Sequence, residues 1–268
     1  MLKKIIPLFA ILFTLTMCAR QKTVYVCPPC DNVCDTETHD KPGTCTTCNM
    51  KFTTKEKRDS DALETLRAKK IKIAFYLQPG VEVLDFAGPM EVFAYAGYEV
   101  FTVSKTKESI LSQGILKVTP DYSIKDAPES NILAFFGGNA HNAYADKEVM
   151  KWVKARKDVD IHFSVCTGAM ILAKAEILDG KTATTFHSVL DDLEKSYPKV
   201  NVRRDVRFVD NGRVITTAGV SAGIDGALHL VAKLQGLEKA KEVAFYMEYD
   251  KWKPGEGLIL SADNPYEK

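Results

Sequence analysis

A chain of 268 residues with 46% apolar and 26% charged residues has enough apolar side chains to bury a core, which excludes an intrinsically disordered polymer. A formal net charge of +1, from 36 basic and 35 acidic residues, supplies no basic block suited to nucleic acid. The length holds one large domain, or one domain and a small module.

The chain opens with Lys3 and Lys4 before an apolar run from Ile5 to Met17, interrupted by Pro7. That run is too short for an ordinary membrane span and fits an export signal, so residues 1–18 are assigned to targeting. After its removal no other stretch is long and apolar enough to cross a bilayer. Cys18 follows Leu15-Thr16-Met17, which resembles the bacterial lipoprotein processing site, although Met17 stands where a small residue is usual. The resemblance implies lipid attachment at Cys18 and a membrane-anchored place in the cell envelope, facing the periplasm or the surface. Export with no lipid, or with cleavage elsewhere, is the alternative.

Residues 24–51 form a cysteine-rich module containing Cys27, Cys30, Cys34, Cys45 and Cys48. Two Cys-x-x-Cys steps flank a loop with Cys34 and His39. Such pairs close a tetrahedral thiolate site, so Cys27, Cys30, Cys45 and Cys48 are the expected ligands of zinc or another thiophilic ion. Cys34 and His39 are further candidate ligands or plain loop residues. The stretch has few large apolar side chains, so a metal or disulfides must hold its shape. Disulfides suit an exported chain, but five cysteines leave one over. Tyr25-Val26-Cys27-Pro28 and Lys41-Pro42-Gly43-Thr44-Cys45-Thr46-Thr47-Cys48-Asn49-Met50 resemble the small heavy-metal-binding module of bacterial efflux proteins and metal ATPases. Pro29-Cys30 replaces that module's Met-His step, and Asn49 replaces its glycine.

Residues 52–70 read as a charged linker, in which Ser60 to Arg67 can form a short helix capped by Ser60 or Asp61. The main body, residues 71–250, begins with a buried strand at Ile71–Leu77. A helix is expected over Pro89–Ala96, with Pro89 in its first turn, then a strand over Tyr98–Ser104. Short strands are expected near Ile115–Val118 and Asp121–Ile124, and a central strand at Asn131–Phe136. Ala145–Lys157 fits an amphipathic helix. Ile161–Val165 is a strand and Thr167–Ala175 its helix. Asp205–Val209 and Arg213–Thr217 flank Asp210-Asn211-Gly212 as a hairpin. Helices over Ser221–Leu234 and Glu238–Tyr249 close the body, and residues 251–268 form a tail. Strands alternating with helices predict an α/β fold with a mostly parallel sheet covered on both faces. Ligands then bind beyond the carboxyl ends of the strands.

Three strand ends carry chemical groups. The first leads to Gly80-Val81-Glu82-Val83-Leu84-Asp85, the second to Gly137-Gly138-Asn139, and the third to Cys166-Thr167. Cys166 is the last cysteine, at a strand-to-helix turn where amide N–H groups and a helix N-terminus favour a thiolate. It is the candidate nucleophile. Gly137 and Gly138 expose N–H groups suited to an oxyanion, and Thr167 N–H is a further donor, its hydroxyl a substrate ligand. Asp85 is placed to hydrogen-bond with Cys166 or to exchange a proton with substrate. A bulky side chain at Gly138 is expected to obstruct the approach of substrate.

Asp85-Phe86-Ala87-Gly88-Pro89-Met90-Glu91-Val92-Phe93 resembles the Asp-x-x-Gly-Pro-x-x-x-Phe motif of isonitrile hydratases. These belong to the class I glutamine-amidotransferase-like superfamily, beside its intracellular protease and Parkinson's-disease protein branches. Ser164-Val165-Cys166-Thr167-Gly168-Ala169, Leu178 to Thr185, and Thr216 to Asp225 are similar to that superfamily's nucleophile elbow and later signatures. The resemblance covers residues 71–250. It implies a flavodoxin-like three-layer domain, usually a homodimer, with Cys166 as nucleophile, Asp85 as acid–base partner and Thr167 orienting substrate. It also implies a small-molecule substrate, with an isonitrile and water giving an N-substituted formamide as the named reaction, and no cofactor in this domain. Phe186-His187 stands where His-Trp is common, so His187 is either a third catalytic residue or a pocket-wall or interface residue. No DNA-binding helix-turn-helix follows residue 250, so no nucleic-acid partner is expected.

The remaining candidates have structural readings. His162 packs inside a strand, His229 within a helix, and Trp152 and Trp252 in packed interior. His141 either lines the pocket or lies beside it. Glu91 belongs to the Gly-Pro helix and either caps it or touches the pocket, with Asp85 the better functional candidate; Asp225 favours the positive end of a helix start. Two functions stand: a cysteine-dependent hydratase or hydrolase of the envelope, or a metal-binding or redox-sensing protein without turnover.

Overall fold

The computed structural model describes residues 23–28, 34, 37–59, 61 and 70–267, in two compact units divided between Arg58 and Asp59. The export segment, Cys18, Cys30, and linker residues 60 and 62–69 lie outside the described residues.

In the first unit Tyr25–Val26 pairs antiparallel with Thr38–His39 on one side and Thr53–Thr54 on the other. A Thr44–Lys51 bridge closes the turn that carries Cys45 and Cys48. Asn49 leaves that turn at φ 58, a left-handed conformation that asparagine tolerates better than most residues. Residues 55–59 and Asp61 are helical, so helix is present ahead of Ser60 and also at Asp61, inside the segment where a short helix was expected.

The second unit is an α/β flavodoxin-like sandwich. Its first half contains β1 (Lys72–Tyr76), α1 (Val83–Tyr95), β2 (Glu99–Ser104), β3 (Tyr122–Ser123), β4 (Ile132–Phe135) and α2 (Lys147–Lys154). Next come β5 (Ile161–Val165), α3 (Gly168–Lys174), β6 (Phe208–Asp210), β7 (Val214–Thr217), α4 (Ala222–Gln235), α5 (Leu237–Tyr246) and β8 (Leu258–Ile259). The sheet order is β8-β6-β7-β5-β4-β1-β2-β3. From β7 to β3 every pairing is parallel. β6 runs antiparallel to β7 because Asn211-Gly212 joins them as a hairpin, with Gly212 at φ 88.

Alternation along β1 sends Ile73 and Phe75 to one face and Ala74 and Tyr76 to the other. The first face packs against Phe93 of α1, Leu230 of α4 and Val243 of α5. The second packs against Val153 of α2 and Leu172 of α3. Burial on both faces is why residues 73–77 and 132–136 read as continuous apolar runs.

Several elements differ from the sequence expectation. α1 begins at Val83, not near Pro89, and holds Pro89 in its interior. Proline has no N–H for the carbonyl four residues earlier, yet α1 packs so closely on α4 that a Cβ on Gly223 would lie 3.3 Å from the Pro89 ring. Burial therefore overrides the lost hydrogen bond, and Asp85 falls in the first turn of a helix. α2 is shorter than expected because the Asp146 side chain caps it, accepting from the N–H groups of Glu148 and Val149 at 2.9 and 3.1 Å. His141–Tyr144 forms a separate helical turn before it. Leu116–Val118 pairs with Ile110–Ser112 in an outlying hairpin, whereas Tyr122–Ser123 joins the main sheet. The segment beyond residue 250 contributes β8, which pairs with β6, and Tyr266, whose hydroxyl lies 3.0 Å from His229 Nδ1.

Candidate functional site

β5 ends at Val165 and α3 starts at Gly168, so Cys166 and Thr167 form the whole turn between them. Cys166 takes φ 58, a conformation that costs a side-chain-bearing residue about 1–3 kcal/mol. Thr185 Oγ1 holds it there, donating to the Cys166 carbonyl at 2.7 Å, while the Cys166 N–H donates to Ala218 O at 3.1 Å. Cys166 is only 5% exposed.

Asp85 reaches the same point from α1. It is fully buried, and its Oδ2 accepts from the Gly137 N–H at 2.8 Å. A Cβ placed on Gly137 would lie 2.6 Å from Cys166 Sγ and 2.7 Å from Asp85 Oδ2. Thiol and carboxyl thus meet over the face of this glycine. The N–H groups of Thr167 and Gly138 face the sulfur, and the Thr167 hydroxyl donates to Gly138 O at 3.2 Å. Gly137, named beside Gly138 as an oxyanion donor, instead commits its N–H to Asp85.

Burial pushes the Asp85 carboxyl up to about 7; the Gly137 N–H opposes this and the Glu82 charge adds to it. Burial also pushes the Cys166 thiol up to about 12, followed by the charge of Asp85, against the pull of the Thr167 and Gly138 N–H groups. The expectation of a favoured thiolate is therefore corrected. Two N–H groups do not outweigh desolvation and a neighbouring carboxylate. The pair is best described as two acids sharing protons, in which a neutral Asp85 removes the charge that opposes the thiolate.

Cys166, Asp85, Thr167 and Gly138 are together, and His187 is not with them. His187 is exposed in the turn His187–Val189, its ring 4.3 Å from that of Phe186. Phe186 takes the inward place: a Cβ on Gly219 would lie 2.3 Å from its ring. No described histidine hydrogen-bonds to Cys166 or Asp85. His141 is exposed against Tyr144, and Glu91 is exposed on α1. His162 is buried in β5, where desolvation pushes it down to about 4. His229 lies between Asp210 and Tyr266. Asp225 accepts from Arg207 Nε at 2.6 Å and from the Tyr249 hydroxyl at 3.1 Å. Trp152 packs 5.7 Å from Tyr76, and Trp252 lies against the core of the first face. A site residue that motif reading missed is Gln78. It is fully buried, with Nε2 donating to Phe136 O at 3.0 Å and Gly137 O at 2.9 Å. Its signal was a lone amide side chain ending an apolar strand.

The first unit holds a separate cluster. Cys27, Cys34, Cys45 and Cys48 bring their sulfurs within 4.8 Å of one another, and the first three are buried. A tetrahedral zinc site with ~2.3 Å bonds needs sulfurs about 3.8 Å apart, so the cluster can coordinate a thiophilic metal such as zinc. The Thr47 N–H donates to Cys45 Sγ at 3.4 Å. Backbone donation from Cys48 pulls Cys45 down to about 6, while its contact with Cys48 pushes the Cys27 thiol up. The described cysteines form no disulfide among themselves. Cys34 belongs to this group, whereas His39 stacks on Phe52 at 4.0 Å and stays out of it. Loop closure, not Cys-x-x-Cys spacing, brings Cys34 in.

A model of the DJ-1/PfpI family matches residues 71–233. The isonitrile hydratase of Pseudomonas putida is 31% identical over 182 residues, which is 67% of this chain and 78% of that protein. The HTH-type transcriptional regulator CdhR of Pseudomonas aeruginosa is 27% identical over 63% of this chain, which spans about half (52%) of that regulator. The crystal structure of a ThiJ/PfpI family protein from Pseudomonas syringae superposes with a TM-score of 0.65 at 29% identity, covering 70% of this chain and 79% of that one.

Proposed function

The chain belongs to the DJ-1/PfpI family, and on that premise we propose a cysteine-dependent hydratase or hydrolase acting on a small carbon–nitrogen or carbonyl compound. The observation that carries this reading is the buried Asp85 carboxyl, pushed up to about 7, meeting the Cys166 thiol beside the N–H groups of Gly138 and Thr167. A carboxyl that titrates near neutral pH takes the thiol proton in its ionised form and delivers it to substrate in its protonated form.

Isonitrile hydration is the specific version, supported by the named relative. The thiol proton passes through Asp85 to the substrate carbon as that carbon bonds to Cys166 Sγ, giving a thioimidate. Water then adds to the same carbon. The tetrahedral adduct has its oxygen within reach of the Gly138 and Thr167 donors. Cleavage of the C–S bond releases the N-substituted formamide and returns the thiol, with no net oxidation.

A panel of isonitriles, small amides and reactive aldehydes, read by product mass, tests the reading. Wild type is expected to turn over at least one class and Cys166→Ala none. Turnover surviving in Cys166→Ala overturns the mechanism.

The thiol cluster supports a second reading, a metal-binding protein of the envelope. One zinc per chain is expected on native mass spectrometry of protein purified without chelator. Cys34→Ser should bind it at least about tenfold more weakly, since a four-thiolate site loses a ligand. Unchanged affinity in Cys34→Ser would remove Cys34 from the site.

A further inference from the structure

We propose that Gln78 is a positioning residue that aims the two N–H groups of the Gly137-Gly138 loop, one at Asp85 and one at Cys166. The inference rests on Cys166 being the reactive group.

The argument starts from the peptide bond. In a trans peptide, the C=O of one residue and the N–H of the next lie in one plane and point in opposite directions. No cis peptide occurs among the described residues. Whatever grips the Phe136 carbonyl therefore sets the direction of the Gly137 N–H. Whatever grips the Gly137 carbonyl sets the direction of the Gly138 N–H. One atom grips both: Gln78 Nε2 donates to Phe136 O at 3.0 Å and to Gly137 O at 2.9 Å. On the far side of these two peptides, the Gly137 N–H meets Asp85 Oδ2 at 2.8 Å and the Gly138 N–H faces Cys166.

The Gly137 carbonyl has a second, longer donor in the Glu82 N–H at 3.2 Å. Asn139 N–H donates to Gly80 O at 2.9 Å, which ties the loop to the turn before α1. Neither bond reaches the Phe136 carbonyl. Glycines have the freest backbone of any residue, so two in succession need an outside clamp to hold one pair of peptide planes.

The side chain's own bonding shows what it is placed to do. Gln78 is fully buried, yet its Oε1 has no hydrogen-bond partner. Rotating the amide would set that oxygen against two carbonyl oxygens, so the donor orientation is the only one the surroundings allow. A buried acceptor left unsatisfied is a cost to folding that an apolar side chain would avoid.

The test compares wild type with Gln78→Met, which keeps the side-chain length and removes the donor. Alkylation of Cys166 by iodoacetamide is followed from pH 7 to 10 by peptide mass, and the Gly137 and Gly138 amide protons by NMR. Expected results are an alkylation profile displaced to higher pH by about one unit, roughly a tenfold lower rate at a given pH, and upfield movement of both amide protons. A folded Gln78→Met protein with an unchanged profile and unmoved amides overturns the proposal. If that variant does not fold, the wild-type Gln78 side-chain amide decides: slow exchange with solvent supports the clamp, and exchange at the rate of an exposed amide overturns it. An unreactive wild-type Cys166 would count against the proposed function, while the amide resonances would still judge Gln78.

Discussion

Asp85→Asn is expected to lose about a hundredfold or more in turnover and yet to unfold at a higher temperature than wild type at pH 8. The carboxyl titrates near its ordinary value of 3.8 in the unfolded chain and near 7 in the folded one, because burial disfavours its charge. Well below pH 3.8 both states are protonated and the group costs nothing. As pH rises toward 7 the unfolded chain ionises first, so folded stability falls until the native carboxyl also ionises. A shift of this size corresponds to an upper bound of about 4 kcal/mol. Asparagine escapes that loss but must seat an NH2 group against the thiol, so a gain of about 2 kcal/mol is more realistic. That amounts to roughly 4–8 °C. Melting curves at about pH 3 and at pH 8 check it: the two proteins should be alike at the first and separated at the second. A variant less stable than wild type at pH 8 would remove burial as the dominant influence on Asp85.

Gly137→Ala is expected to abolish turnover without unfolding the protein. Its added Cβ would meet the sulfur at 2.6 Å and Asp85 Oδ2 at 2.7 Å, and Gly137 is not among the glycines with positive φ. The methyl group separates thiol from carboxyl, so proton transfer between them is lost and turnover should fall at least about a hundredfold. Gly138→Val should behave in the opposite way. Gly138 sits at φ 75, and a Cβ there would lie 2.3 Å from Gly80 O and 2.5 Å from Glu82 N. Backbone cannot yield as a side-chain tip can, so a loss of at least about 3 kcal/mol in stability is expected. This corrects the sequence reading, in which Gly138→Val merely obstructed substrate. Melting temperature and turnover measured on both variants separate the two cases. Full turnover in Gly137→Ala would contradict the contact of thiol and carboxyl over this glycine.

The parts legible in the sequence were those governed by short-range pattern. Ile161, Phe163 and Val165 alternate with His162 and Ser164 at the period of a strand, and the observed β5 has the same bounds. The Asn211-Gly212 turn joins two antiparallel strands as its chemistry requires. Asp85, Gly138, Cys166 and Thr167 were each read from strand ends or motifs, and the parallel sheet brings them together. The start of α1 was not legible, because a proline usually marks a first turn and only packing against α4 keeps Pro89 inside the helix. Nor was the outward position of His187, which depends on Phe186 filling the space beside Gly219.

By itself the sequence determined the α/β class, the cysteine at a strand-to-helix turn and a thiol-rich module before the main body. Each follows from local periodicity or spacing, which a chain carries before it folds. Tertiary structure decided the electrostatics and the division of labour. Burial pushes both acids up where an exposed turn would have favoured a thiolate. Loop closure puts Cys34 among the thiols. Gln78, two residues beyond β1, grips the two carbonyls that follow β4. Desolvation and hydrogen bonds between residues far apart in the chain exist only after packing, so no local pattern encodes them.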